Sequence, residues 1–420
     1  MNTTRSLTGA RPLVASACAA ALLAGCSGQG ALAPLTGRSP DGFATSAHSP
    51  GGMRSTVTFA LGTPRAIAFR SMLDFPDEHV SFLKNDNGSQ SYWTIWSANR
   101  QGRGVVYQAD AALDPGSFTM PAGNPIFGPA DVRDKDPANF DKGYAGAGQV
   151  VRDPNDPSVL YMLYEGNNDC YGQTCAGSNY AWANPGIAVA TGGPFPTGWA
   201  GPSPNPWGRT AAVLTPDQPN RPSSVPAQPG YFGDGLPSGI VDPNDPTYLY
   251  LYYSYHPYPR PQKPFAQIEV ARDAFSDLES GMPGGFKKYD AADGAFDAAY
   301  NGAGSALFAA PADGKCNGDV SQPAVSWNTA LGEYVMVFTC HNMGGATALW
   351  YYSTCACATL SSQNWSTPVL LYDWGNQFSP RPSPVSPDQQ DSSTTSGTGL
   401  IFYQHGNYKP YIVPFTIGPS

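Results

Sequence analysis

The 420-residue chain has a formal charge of −9, so it lacks the surplus of basic side chains that binding to nucleic-acid phosphates requires. Only 13% of its residues are charged, whereas 12% are aromatic, and it contains 47 glycines and 42 prolines. This composition is typical of turn-rich all-β proteins and argues against a helical fold.

The N-terminus has the layout of an export signal. Arg5 and Arg11 precede an apolar run that is too short to span a bilayer as a mature helix. The run ends in Leu-Ala-Gly-Cys, which resembles the lipobox of bacterial lipoproteins, with Cys26 as the lipidated residue. We therefore expect a lipoprotein signal peptide at residues 1–25 and a flexible tether at 26–55. The expected location is the cell envelope, at the outer membrane in a Gram-negative host, with the lipid as the only membrane contact.

Six further cysteines lie in the predicted exported part: Cys170, Cys175, Cys316, Cys340, Cys355 and Cys357. Their even number favours disulfides in an oxidising compartment, and no Cys/His pair has the C-x-x-C spacing of a zinc site. Cys170–Cys175 would close a short loop, and Cys316–Cys340 is the preferred second bridge. Cys355 and Cys357 either pair locally or exchange with that bridge. No metal or cofactor is predicted, apart from a structural calcium ion at the axis of the fold, which is left open.

From about residue 74 onward the sequence predicts strands separated by turns, with hardly any helical periodicity. The clearest internal repeat joins two segments that begin at Val151 and Val241. Each segment passes through the turn Asp-Pro-Asn-Asp-Pro into a long Tyr-rich strand, which predicts a hairpin. Three further segments have the same strand–turn–strand layout with different turns: 79–97, 322–340 and 381–404.

Five strand groups of this kind predict an all-β fold. Radial closure hides the sheet edges that a linear array of strands leaves open, so the predicted fold is a five-bladed β-propeller over residues 56–420. One or two β-sandwiches are the alternative, but they would show shorter, evenly spaced strands and no internal repeat. The expected oligomeric state is a monomer.

Antiparallel pairing predicts where polar side chains meet in such a fold. In each blade, the start of the first strand and the end of the second lie at the same end of the sheet. This rule brings four of the five histidines to one mouth of the axis. The side chains that we expect to bind a ligand there are His79, His256, His341, His405, Arg100, Asp319 and Arg381.

The same rule selects candidate catalytic carboxylates. Glu165 ends an apolar Tyr-rich strand, where burial would raise its pKa as general acid catalysis requires. Asp77 and Asp234 precede or begin first strands and are its candidate partners. Glu269, in a third strand, is predicted to be a solvated surface acid. Paired carboxylates flanked by Tyr, Trp and His indicate glycoside hydrolysis.

The segments EHVSFLKND, VLYMLYEG, YLYLYYS and QPAVSWNTALGEYVMVF resemble, in their order and rhythm, the five-bladed glycoside hydrolase superfamily of arabinanases, xylosidases and fructosidases, especially family 43. In that family an Asp of the first blade is the base, an Asp of the second tunes pKa values, and a Glu of the third is the acid. Asp77 matches the base, whereas the second blade offers Glu165 and the third offers Asp234, with no Glu at its inner strand.

The resemblance implies a carbohydrate partner and a carboxylate mechanism. Two alternatives stay open. The first is a non-catalytic surface glycan-binding lipoprotein, in which the same mouth binds without turnover. The second is a polysaccharide lyase, in which His or Tyr abstracts a proton next to a uronate carboxylate held by Arg100 or Arg381.

Overall fold

A computed structural model describes the following residues: 44–46, 57–68, 78–85, 91–98, 103–121, 124–128, 141, 144–167, 180–191, 207–214, 230–257, 266–280, 285–341, 348–375, 380–406 and 409–420. The predictions that lie outside these described residues concern Cys26, Asp77, Arg100, Cys170 and Cys175, together with the side chain of His341. Within the described ranges, no helix has the length and hydropathy needed to cross a bilayer.

The secondary structure is almost entirely β-strand. Before the first blade lie β1 (Ala44–Ser46), β2 (Val57–Leu61) and β3 (Arg65–Ala66). Blade 1 contains β4 (Ser81–Lys84), β5 (Ser91–Ala98) and β6 (Arg103–Asp110). Blade 2 contains β7 (Tyr144–Arg152), β8 (Val159–Asn167), β9 (Tyr180–Thr191) and β10 (Gly208–Ala212).

The second half continues the same pattern. Blade 3 contains β11 (Gly230–Val241), β12 (Tyr248–His256), β13 (Gln267–Ala274), helix α1 (Phe275–Glu279), β14 (Lys287–Asp290) and β15 (Ala295–Ala299). Blade 4 contains β16 (Asp319–Asn328), β17 (Glu333–His341), β18 (Ala348–Cys355), a 3-10 turn (Leu360–Ser362) and β19 (Val369–Asp373). Blade 5 contains β20 (Ser383–Val385), β22 (Thr398–His405) and β23 (Lys409–Pro419), and the short β21 (Thr394–Thr395) pairs with β16 of blade 4.

Strand β12 shows how the sequence specifies a blade. Its residues alternate between two faces, and both faces are buried. Leu251 and Tyr253 pack into the hydrophobic cluster shared with blade 2, whereas Tyr250 and Tyr252 pack into the cluster shared with blade 4. A strand that is apolar on both faces must lie between two neighbouring sheets, which is the position of a propeller blade.

Hydrogen bonds between inner strands connect the five groups in a closed ring. The contacts that link one group to the next are Val150 N to Ser81 Oγ (2.9 Å), Gly239 N to Gln149 Oε1 (3.2 Å), Val325 N to Ser238 Oγ (3.4 Å), Arg381 N to Gln322 Oε1 (2.9 Å) and Val80 N to Ser383 Oγ (3.0 Å). Two face-packed sheets do not give such a ring. The predicted β-propeller is confirmed, and five described strand groups agree with five blades.

The N-terminal strand completes the last blade. Strand β2 pairs antiparallel with β23, with Val57 opposite Pro419 and Leu61 opposite Phe415, and β23 continues to β22 and β20. The two ends of the propeller chain thus share one sheet, which closes the ring non-covalently. Strand β1, inside the segment predicted as a tether, pairs with β2.

Two disulfides lie in the part of the chain that is described. Cys316 is bonded to Cys340, as predicted, and Cys355 is bonded to Cys357. The first bridge joins the approach to β16 with β17 across 24 residues, whereas the second spans only two. Because a disulfide stabilises mainly by restricting the unfolded chain, the longer loop carries the larger effect.

We expect the double variant Cys316→Ala/Cys340→Ala to lose about 3 kcal/mol of unfolding free energy, measured by chemical denaturation. The matched control is Cys355→Ala/Cys357→Ala, which removes a bridge across a much smaller loop and should lose less. Equal stability of the first variant and the parent protein would contradict this expectation.

Candidate active site

The mouth of the propeller is the end where the inner strands begin and the second strands stop. The strand register places Gly146 opposite Glu165 in blade 2, Asp234 opposite Tyr255 in blade 3, and Asp319 opposite His341 in blade 4. The predicted meeting of first-strand starts and second-strand ends therefore holds for these blades. Strands β7, β11 and β16 each shift register there, which marks a β-bulge at the mouth end of the strand.

Bulges at the mouth are accompanied by unusual backbone angles. Leu236, Gln322 and Arg381 have φ values of 54°, 57° and 62°, a region that residues other than glycine rarely adopt, and each precedes a proline. Such conformations persist only where the surrounding structure enforces them, and they cluster at functional sites. Here they turn backbone N–H groups toward side chains of the mouth.

Glu165 is fixed by blade 3. Its Oε2 accepts a hydrogen bond from Leu236 N (2.9 Å), and its Oε1 accepts one from Asn167 Nδ2 (3.2 Å). The carboxylate is buried between blades 2 and 3. The carboxylate is thus held by hydrogen bonds from both blades.

Asp234 forms a buried ion pair. Its Oδ2 lies 2.9 Å from Nζ of Lys288, and the two side chains are 0% and 1% exposed. Lys288 comes from β14, at the outer side of the same blade. A charged pair this far from water is kept only with close partners, because each ion loses its hydration on burial.

Glu269 lies beside this pair and is buried, so the expectation of a solvated surface acid is wrong. Tyr253 OH donates to its Oε2 (2.7 Å) and Gln267 Nε2 to its Oε1 (2.6 Å). Burial, followed by the charge of Asp234, raises the pKa of Glu269 to about 7, although Lys288 acts in the opposite direction. Glu269 therefore holds a proton up to near-neutral pH.

Glu78 is a fourth buried acid at the mouth. Its Oε1 accepts a hydrogen bond from Tyr144 OH (2.7 Å), and its Cγ occupies the space that a Cβ at Gly146 would need. Because Gly146 lies opposite Glu165, the Glu165 Cβ is about 5 Å from that space. A glycine at position 146 thus admits Glu78 to the neighbourhood of Glu165.

Arg381 supplies hydrogen-bond donors at the mouth. Arg381 Nη1 donates to Gln404 Oε1 (2.9 Å), and Arg381 N donates to Gln322 Oε1. His79 is buried beside them, and burial, followed by the Arg381 charge, lowers its pKa to about 3, so the imidazole is neutral. Among the described residues, neither ring nitrogen of His79 has a hydrogen-bond partner.

A small cavity of about 10 Å³ lies next to His79 on the axis, room for a single water molecule. Its lining comes from four of the five groups: His79, Val80, Gln149, Ala324, Val325, Ser383, Pro384 and Ser392. This lining contains no carboxylate. A calcium ion, which prefers six to eight oxygen ligands, therefore fits the described lining poorly.

The other predicted ligand-binding residues are placed less centrally. His256 ends β12 and is half-buried, and Asp319 begins β16 and is also half-buried. His405 is buried against Trp374 and Tyr411, with ring centroids 5.4 and 4.9 Å away. It ends β22, the strand that pairs with the inner strand β20.

Sequence reasoning missed Glu269 and Lys288 as site residues, and it placed Glu78 at the start of a first strand without selecting it as a candidate. The alternation of side chains along β13 could have identified Glu269, because it places Glu269 on the same face as Gln267. Gln267 shares that face with Tyr255 and Asp234. Lys288 carries no comparable signal, because β14 follows helix α1 outside the repeated strand pattern.

No protein-family model matches the chain, and no curated protein matches it. Solved structures do. They include an exo-1,5-α-L-arabinanase from a bovine ruminal metagenomic library (11% identity, TM-score 0.44, 82% of this chain and 95% of that chain). They also include an N-acetylgalactosamine deacetylase from F. plautii (12%, 0.46, 84% and 93%) and a glycosyl hydrolase from Bacteroides ovatus (9%, 0.47, 81% and 84%).

The likeness concerns the path of the chain. The roles of individual residues therefore follow from the geometry and charges at this mouth.

Proposed function

We propose that the mouth is the active site of a glycoside hydrolase, with Glu269, and not Glu165 as the sequence predicts, as general acid, Glu165 as general base or nucleophile, and Asp234 as the charge that tunes Glu269. The observation that supports this assignment is the division of roles within one group of buried acids. Glu165 and Glu269 each accept two hydrogen bonds, but Glu269 also faces the charge of Asp234, which together with burial raises the pKa of Glu269 to about 7. Acids whose environments differ in this way are suited to opposite proton-transfer roles.

The chemistry follows from these positions. Glu269 would protonate the glycosidic oxygen as the bond to the leaving sugar breaks. Glu165 would then remove a proton from the attacking water, or attack the anomeric carbon itself. Asp77, which matches the family base, stays an alternative to Glu165 in this role.

The proposed ligand is an oligo- or polysaccharide. Neutral His79, together with His256, His341, Asp319, Arg381 and Arg100, would supply hydrogen bonds to sugar hydroxyls around the acids. Attachment of the chain to the cell envelope through a lipid on Cys26 is part of the same proposal, because it would hold the mouth where polymeric glycans are met.

The lyase alternative has one observation in its favour, which is the proximity of Arg381 to His79. A lyase site would combine these two residues without an acid pair, whereas the described residues of this mouth include the buried acids Glu78, Glu165, Asp234 and Glu269. The same assay separates the three functions. In a screen of glycans, new reducing ends without an unsaturated product indicate hydrolysis, an unsaturated uronate indicates a lyase, and binding without product indicates a glycan-binding protein.

For the cleaved glycan, we expect Glu165→Gln to lower kcat by about 10²–10⁴-fold, because the amide cannot accept a proton or attack. Binding of the glycan, measured by calorimetry, should persist, since the amide keeps the shape of the side chain. Glu333→Gln, at the outer start of β17, is the matched control and should behave as the parent. Full turnover in Glu165→Gln would remove Glu165 from the mechanism.

A further inference from the structure

We propose that Lys288 is a positioning residue of the active site, which holds the Asp234 carboxylate beside Glu269 and partly balances the negative charge that Asp234 presents to Glu269. This inference rests on the proposed function, since it concerns the same two carboxylates. Lys288 itself would not touch the reacting atoms.

The ion pair supplies the first step. Lys288 Nζ lies 2.9 Å from Asp234 Oδ2 and 5.5 Å from the ring centroid of Tyr253. Both charged side chains are shielded from water, so neither finds a solvent ion as a substitute partner. Asp234 is therefore held on the side of Tyr253, the residue that also donates to Glu269.

Strand register explains how a residue of an outer strand reaches this place. Lys288 lies opposite Ala271, and side chains of opposite residues share one face of the sheet. Glu269, two residues before Ala271, lies on that same face. The small side chain of Ala271 leaves the Lys288 chain free to extend across the blade toward Asp234.

The groups around Glu269 come from every neighbouring strand. Tyr253 from β12 and Gln267 from β13 donate to its two oxygens, and Gly304 packs against Oε2. The charged groups that act on it are Asp234, which raises its pKa, and Lys288, which lowers it. Loss of Lys288 would remove the balancing cation and leave the charge of Asp234 acting alone.

The test is Lys288→Met, with the titration of Glu269 read from its carboxyl infrared band, assigned by subtracting the spectrum of Glu269→Gln. We expect the pKa of Glu269 to rise by about one unit relative to the parent. The alkaline limb of the pH profile of kcat/KM on the cleaved glycan should move by the same amount. Lys288→Arg should restore most of the parental value.

The matched control is Lys315→Met, which removes an exposed lysine 3.6 Å from Asp373 and should leave Glu269 unchanged. A merely structural Lys288 would lower stability without moving the Glu269 titration, and that result would overturn the proposal. If Lys288→Met does not fold, the double variant Asp234→Asn/Lys288→Met, which lacks both charges, is titrated instead. A Glu269 pKa at or above the parental value in that variant would likewise overturn the proposal. If the Glu269 titration shifts in Lys288→Met but the parent protein cleaves no glycan, the positioning role of Lys288 stands and the proposed hydrolase function is refuted.

Discussion

Glu269→Gln should lower kcat/KM on the cleaved glycan by about 10²–10⁴-fold while the protein stays folded. Glutamine keeps the acceptor oxygen and the approximate shape of the side chain, but it has no proton to give to a leaving oxygen. The raised pKa of Glu269, near 7, makes it the acid that is still protonated at neutral pH. A substrate with a good leaving group, such as an aryl glycoside, should lose much less, because its departure needs little protonation.

Asp273→Asn is the matched control for this change. Asp273 lies on the same strand, is buried, and has a pKa that burial raises to about 7. It is four residues from Glu269, away from the mouth. A loss of turnover in Asp273→Asn as large as that in Glu269→Gln would show that buried acids of β13 act through folding rather than through chemistry.

The free energy of unfolding should also depend on the protonation of Glu269. The pKa of Glu269 is about 7 in the folded protein against an ordinary 4.5, so the folded state binds more protons over this range. The contribution of Glu269 to the free energy of unfolding is therefore fully present below pH 4.5. It is lost as the pH rises toward 7, by about 3 kcal/mol for a fully buried group. In Glu269→Gln this part of the loss should be absent, as thermal unfolding at several pH values would show.

Much of the fold can be predicted from local patterns. The two Asp-Pro-Asn-Asp-Pro turns predict the hairpins β7–β8 and β11–β12, because Asp153 and Asp242 each accept the N–H group two residues later and fix the turn. Asp234 and Glu165 are found by the same means, since antiparallel pairing determines which strand ends meet.

The remaining site residues depend on contacts between segments that are distant in sequence. Whether Glu269 is solvated or buried depends on the neighbours that cover it, and Lys288 arrives from a strand that the repeat does not contain. The same limit applies to the closing strand. Nothing in β2 itself indicates that its partner is β23, more than 350 residues later in the chain.

This closing strand should carry a large part of the stability of the propeller. Phe59, in the middle of β2, is buried against Tyr352 of blade 4 and Phe415 of blade 5, with ring centroids 5.2 and 5.5 Å away. We expect Phe59→Ala to lower the free energy of unfolding by about 3–5 kcal/mol in chemical denaturation, because it leaves a cavity where the two blades meet.

Leu61→Ala is the matched control, since Leu61 belongs to the same strand but is only partly buried, and it should cost clearly less. Because β2 is peripheral to the mouth, Phe59→Ala should keep the parental kcat/KM at temperatures below its unfolding transition. Phe59→Ala would then lose stability but keep its turnover, whereas Glu269→Gln would lose turnover but stay folded. Equal costs for Phe59→Ala and Leu61→Ala would show that β2 does not close the ring through this contact.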